Sequence, residues 1–115
     1  MSQYHEPVEK LDEKTRDITR ALVSLKEEIE AVDWYNQRIA ASSNSDLKAI
    51  LAHNRDEEIE HAVMTIEWLR RNMDKWDEEL RTYLFTEGDI TELEEVAMAG
   101  EENEGGSNLK IGDLK

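Results

Sequence analysis

The 115 residues contain no cysteine, which excludes disulfides, thiolate metal sites and cysteine nucleophiles together. Proline occurs once, at Pro7, and no glycine precedes Gly88, so the first three-quarters of the chain has almost nothing to interrupt a helix. Positive charge is scarce: 14 Lys and Arg stand against 28 Asp and Glu, a formal net charge of −14. Such a chain is repelled by nucleic acid and by anionic membrane surfaces, and it suits cations. No apolar run approaches the ~18 residues of a membrane span, and the N-terminus lacks an apolar signal core. A soluble, cytoplasmic protein of one small domain is therefore expected.

What is present is helical periodicity. Residues 1–6 read as a short lead, and Pro7 suits a first helical position, where its missing N–H is not needed. Val8, Leu11, Thr15, Ile18, Leu22, Leu25, Ile29, Val32, Asn36 and Ile39 then keep a three-four rhythm, which predicts a helix from about Pro7 to about Ala41. Ser42-Ser43-Asn44-Ser45 is a turn, with Asn44 or Ser45 as N-cap of a second helix that starts near Asp46 and runs antiparallel to the first. That helix carries a seam of Leu47, Leu51, Asn54, Glu58, His61, Thr65 and Trp68, and a second apolar stripe through Ile59, Ala62, Ile66 and Leu69. Apolar residues on two faces imply more than one neighbour, and two long helices cannot enclose a core alone, so oligomerisation is expected. A break is predicted at Asn72 to Asp74, then helix over Lys75 to Phe85 ended by Gly88, and a weaker turn or two over Ile90 to Ala99. The helical domain thus spans 7–99, a flexible Gly/Glu linker 100–107, and an aliphatic docking peptide 108–115.

The chemistry concentrates in Asp56-Glu57-Glu58-Ile59-Glu60-His61. Glu58 and His61 stand one turn apart in the seam, where a carboxylate and an imidazole are costly unless paired or metal-bound. The first helix offers Glu28, on a stripe with Ala21 and Tyr35 beside Leu25, Ile29 and Val32. One hairpin thus supplies a lone Glu and a Glu-x-x-His, half of the set by which four-helix di-iron carboxylate proteins hold two metal ions. Two-fold pairing of hairpins would complete it, with Glu28, Glu58 and His61 of both chains as metal ligands and catalytic groups. The mixed oxygen and nitrogen donors suit iron, manganese or zinc better than magnesium or calcium. A solvated helix face competes with this reading, because Glu-x-x-His arises by chance in a Glu-rich helix. Tyr35 is either a hydrogen-bond partner of a ligand carboxylate or an interfacial tyrosine. Two outward stripes, Glu27, Glu30 and Trp34 on the first helix and His53, Glu57 and Glu60 on the second, either gather cations or form ordinary acidic surface. Trp68 and Trp76 read as packing or subunit contacts.

Glu27-Glu28-Ile29-Glu30-Ala31-Val32-Asp33-Trp34-Tyr35, Leu51-Ala52-His53-Asn54-Arg55-Asp56-Glu57-Glu58, Glu60-His61-Ala62, Glu67-Trp68-Leu69-Arg70-Arg71 and Arg81-Thr82-Tyr83-Leu84-Phe85-Thr86-Glu87 closely resemble the encapsulated ferritins. The resemblance covers most of residues 6–87. It implies an all-α fold, an antiparallel helical hairpin that dimerises into a ferritin-like four-helix bundle, with five dimers in an open ring. It implies a di-iron ferroxidase centre of Glu28, Glu58 and His61 from both chains with Tyr35 close by, and other divalent cations such as Ca, Zn or Mn as alternative occupants. Glu27, Glu30 and Trp34 match a region where metal enters, and His53, Glu57 and Glu60 a secondary metal site. The C-terminal segment resembles the peptide that loads cargo into encapsulin shells, with Leu109, Ile111, Gly112 and Leu114 as its docking residues.

The expected function is oxidation of Fe(II) to Fe(III) at the dimer interface, delivering iron for storage inside an encapsulin nanocompartment. Two rivals stand beside it. One is a non-enzymatic helical cargo or adaptor whose polar seam only sets pairing register. The other is a different di-metal oxidase or peroxidase of ferritin-like type.

Overall fold

The structure, a computed structural model, describes residues 3–95. Among them every regular element is helical: a 3-10 turn at Val8–Lys10, α1 at Glu13–Ala41, α2 at Ser45–Asn72, α3 at Asp74–Tyr83, and a 3-10 turn at Ile90–Glu92. The fold is all-α, as the periodicity predicts. Two compact units divide at Asn72/Met73. The linker at 100–107 and the docking peptide at 108–115 lie outside the described residues, as does the end of the segment expected over Ile90 to Ala99.

In the first unit α1 starts six residues later than its apolar rhythm suggests. Asp12 is the cause: its Oδ1 accepts the Thr15 N–H at 2.7 Å, the bond of an N-cap, and holds the carboxyl below its ordinary pKa. Pro7 instead leads the short 3-10 turn, with Lys10 N–H donating to its carbonyl at 3.0 Å, and Leu11 is extended. Arg16 Nη2 then donates to the Val8 carbonyl at 2.6 Å, tying the lead to α1. At the other end Asn44 is the cap of α2, its Oδ1 accepting the Leu47 N–H at 2.9 Å. So short a connection folds α2 back antiparallel on α1, and these two helices pack along one another.

The packing line differs from the expected seam. Leu25 of α1 and Ala62 and Leu69 of α2 are the buried apolar residues, at 7%, 8% and 0% exposure, whereas seam residues Leu47 and Trp68 keep 46% and 37% of their surface. A lone pair of helices has one line of contact, and the stripe without charge takes it. Turning Glu58 and His61 fully inward would bury polar groups at a cost of several kcal/mol, whereas Ala62 and Leu69 carry no such penalty and the small Ala62 admits close approach. Apolar side chains remain open on the hairpin, among them Ile29 (55%), Ile59 (44%) and Val63 (58%). Patches of that kind call for a partner surface.

In the second unit the predicted break is real. Met73 is extended at φ −140° and ψ 113°, and α3 follows from Asp74. It ends at Tyr83, before the expected Phe85, because Leu84 turns extended at φ −76° and ψ 145°, and Phe85 beyond it is left-handed at φ 58°. Thr86 Oγ1 donates to the Tyr83 carbonyl at 2.7 Å and closes the turn. Gly88, at φ 95°, bends the chain three residues later, where lack of a Cβ removes the steric penalty.

Candidate functional site

Four side chains from α1 and α2 form one connected set beside the packing line. Glu58 and His61, one turn apart on α2, meet through Oε1 and Nδ1 at 3.1 Å. Against a carboxylate oxygen the attractive arrangement has Nδ1–H donating, which leaves the Nε2 lone pair for a further partner. Glu58 and His61 keep 25% and 42% of their side-chain surface exposed, so they are half-buried and reachable. One turn on, the Thr65 hydroxyl donates to Oε1 of Glu28 at 3.1 Å, and its oxygen also lies 3.1 Å from the His61 carbonyl oxygen. The bond to Glu28 crosses from α2 to α1.

The structure therefore ties Glu28 to the turn of α2 that carries His61 through Thr65, a residue to which the sequence assigned only a seam position. Thr65 gave a usable signal all the same. A hydroxyl four residues after a ligand histidine can bond back to that histidine's carbonyl, which fixes where the oxygen points.

Two carboxylates and an imidazole are a chemically suitable donor set for iron, manganese or zinc. Among the described residues, however, no group of three or more His, Asp or Glu side chains within one chain converges closely enough to hold a metal ion. Among the described residues, Glu28, Glu58 and His61 are thus candidate donors on a half-open face and do not by themselves form a metal-holding group.

The other expected residues lie elsewhere on the same helices. Tyr35 is half-buried on the Glu28 side of α1, two turns along, with the Arg38 guanidinium 5.1 Å from its ring centre. Glu27, Glu30 and Trp34 face outward and are exposed, as are His53, Glu57 and Glu60. Within the latter trio His53 Nε2 and Glu57 Oε1 meet at 2.8 Å, one helical turn apart. These stripes are separate from the Glu58 and His61 face, so neither adds a ligand to it within one chain. The expected docking residues Leu109, Ile111, Gly112 and Leu114 lie outside the described residues. No described helix is long and apolar enough to cross a membrane.

Known proteins resemble this chain over most of its length. The family model described as EncFtn-like matches residues 3–87. A ferritin-like protein of Thermotoga maritima is 62% identical over 104 residues, covering 90% of this chain and 91% of the relative. An encapsulated ferritin-like protein of Rhodospirillum rubrum is 57% identical over 121 residues, covering 96% and 86%. Among solved structures, a crystal structure of a Nitrosomonas europaea protein superposes with a TM-score of 0.75 at 56% identity, covering 77% of this chain and 99% of that one.

Proposed function

The chain belongs to the EncFtn-like family, and from that premise we propose that it is a ferroxidase whose di-iron site forms only when two copies meet. The observation that carries this reading is the connected set Glu28, Thr65, His61 and Glu58 on a half-open face that is incomplete within one chain. Paired two-fold, the hairpins make a four-helix unit whose centre holds Glu28, Glu58 and His61 from each copy. Five such units close an open ring, as the family resemblance implies.

Iron is the substrate. Four carboxylates offset the charge of two Fe(II) ions, and because anionic oxygen donors favour the higher charge, they stabilise the ferric product over the ferrous substrate. The imidazoles fix geometry: Nδ1–H held by Glu58 orients the ring and leaves Nε2 as a donor. Each Fe(II) gives one electron to dioxygen, so four Fe(II) and four protons reduce one dioxygen to two waters. Glu27, Glu30 and Trp34 on the outward face of α1 gather incoming cations, with Tyr35 close to the centre, and His53, Glu57 and Glu60 form a secondary site on α2. Calcium, zinc or manganese occupy the same donors when iron is absent.

Storage of the product falls to a surrounding shell. The printed name of the Rhodospirillum rubrum relative describes that protein as encapsulated, and the C-terminal Leu109, Ile111, Gly112 and Leu114 supply the aliphatic contacts for docking inside an encapsulin compartment.

Metal analysis of the purified protein followed by aerobic Fe(II) oxidation, read by ferric absorbance, tests the proposal. The wild type should hold iron stoichiometrically and oxidise it rapidly, while Glu58→Ala combined with His61→Ala should drop to the rate of Fe(II) in buffer. Wild-type rates from that variant would show the site to be wrongly assigned. A wild type without bound iron and without activity would favour a non-enzymatic cargo.

A further inference from the structure

Glu28 is poorly anchored by its own helix. Its neighbours one turn away on α1 are Ser24, Leu25, Ala31 and Val32, none of which can form an ion pair with it. A glutamate with three rotatable side-chain bonds and no such partner would sample several positions in a half-open groove. What holds it is the Thr65 hydroxyl of α2, at 3.1 Å from Oε1.

Thr65 is itself firmly placed. Its branched Cβ restricts χ1, and in a helix its hydroxyl settles against the carbonyl four residues back, here His61 at 3.1 Å. The oxygen that fixes Glu28 is thus referenced to the turn of α2 that carries the ligand imidazole. A threonine hydroxyl has one hydrogen for these two acceptors. With Glu28 as a bare carboxylate the hydrogen belongs to it, because a charge-assisted bond is roughly twice as strong as one to a neutral carbonyl.

We propose that Thr65 is a positioning residue of the metal site, its hydroxyl holding Oε1 of Glu28 in register with His61 across the two helices with and without metal. This rests on the metal-site reading above. It makes the relative placement of ligands from α1 and α2 a property of one hydroxyl, and leaves Oε2 of Glu28 as the oxygen that meets the ion.

Cobalt(II) titration of the purified full chain tests this without turnover, since the visible d–d absorption reports both affinity and ligand geometry. Thr65→Val keeps the shape and removes the hydroxyl; Thr65→Ser keeps the hydroxyl. Thr65→Val should weaken cobalt binding by about tenfold or more, the order typical of losing a partner that orients a ligand, and should alter the d–d spectrum. Thr65→Ser should restore both. Wild-type affinity and spectrum in Thr65→Val would overturn the role of Thr65 while leaving the site intact, and so would a Thr65→Ser variant no better than Thr65→Val. A wild type that binds no cobalt, matching Glu58→Ala with His61→Ala, would overturn the metal-site reading and this role with it.

Discussion

Two stripes run side by side along α2, and one chain finishes only one of them. Ala62 and Leu69 are buried against α1, at 8% and 0% exposure. Glu58 and His61 keep 25% and 42% of their side-chain surface, and their ties are 3.1 Å contacts to each other and, through Thr65, to Glu28. Ala62 and Leu69 are satisfied by the neighbour helix, because apolar contact needs only area. The polar stripe, on the proposed reading, has directional requirements that a second hairpin would meet. Folding of the hairpin and completion of the site are therefore separable, and substitutions should be able to pull them apart.

The sharpest separation comes from Leu69. It is fully buried, so Leu69→Ala should cost the metal-free protein about 2–5 kcal/mol, transfer and cavity terms together. Glu58→Ala, at a half-open position, should stay within about 0.5–1 kcal/mol under the same conditions, and should instead lose the stabilisation that added metal gives. Denaturant unfolding of both variants, with and without a divalent ion, checks the pair. Equal losses from the two changes in metal-free protein would erase the distinction between the stripes.

The next effect concerns assembly. On the proposed reading, pairing two hairpins through the polar stripe would bring four carboxylates together, and their repulsion would oppose association until a cation joined them. Fe(II) under anaerobic conditions, or Zn(II), should shift the population toward the higher oligomer. At free metal about a hundredfold above Kd, each bound ion contributes about 2.7 kcal/mol. Native mass spectrometry reads the distribution directly. An unchanged distribution on adding metal would mean that the polar stripe is not where the copies meet.

How much of this could be read from the chain depends on the kind of signal. The hairpin, the Asn44 cap and the break at Met73 were legible, because periodicity and turn chemistry are local. The start of α1 was not, since Val8 and Leu11 continue the apolar rhythm while Asp12 supplies the stronger cap. The choice of core stripe was also hidden: both stripes of α2 have three-four spacing, and only the cost of burying Glu58 and His61 separates them. Glu28, Glu58 and His61 stood out as candidates because a carboxylate or imidazole on an apolar face is conspicuous. For Thr65 the one signal was its place four residues after His61, and it was faint because a threonine also fits a packing position and its partner Glu28 lies 37 residues away.

A third region of α2 provides the lower bound for both stripes. Glu67 takes Arg70 Nε and Nη2 at 2.8 Å each and Arg71 Nε at 2.7 Å, and these two guanidinium partners lower its carboxyl to about pKa 2. The unfolded chain returns it to the ordinary glutamate value of about 4.3. A lowered folded pKa means that its contribution is complete above about 4.3 and is lost as pH falls toward about 2. Exposed pairs of this kind contribute little even when complete, so Glu67→Gln should cost less than either change described above. The melting-temperature gap between wild type and Glu67→Gln should be steady from neutral pH down to about 4.3 and close as the pH drops toward about 2. The gap for Leu69→Ala, which rests on packing alone, should persist across the same range. A Glu67→Gln gap as large at about pH 2.5 as at neutral pH would remove charge as the source of that interaction, since the wild-type carboxyl is then losing its ionised form.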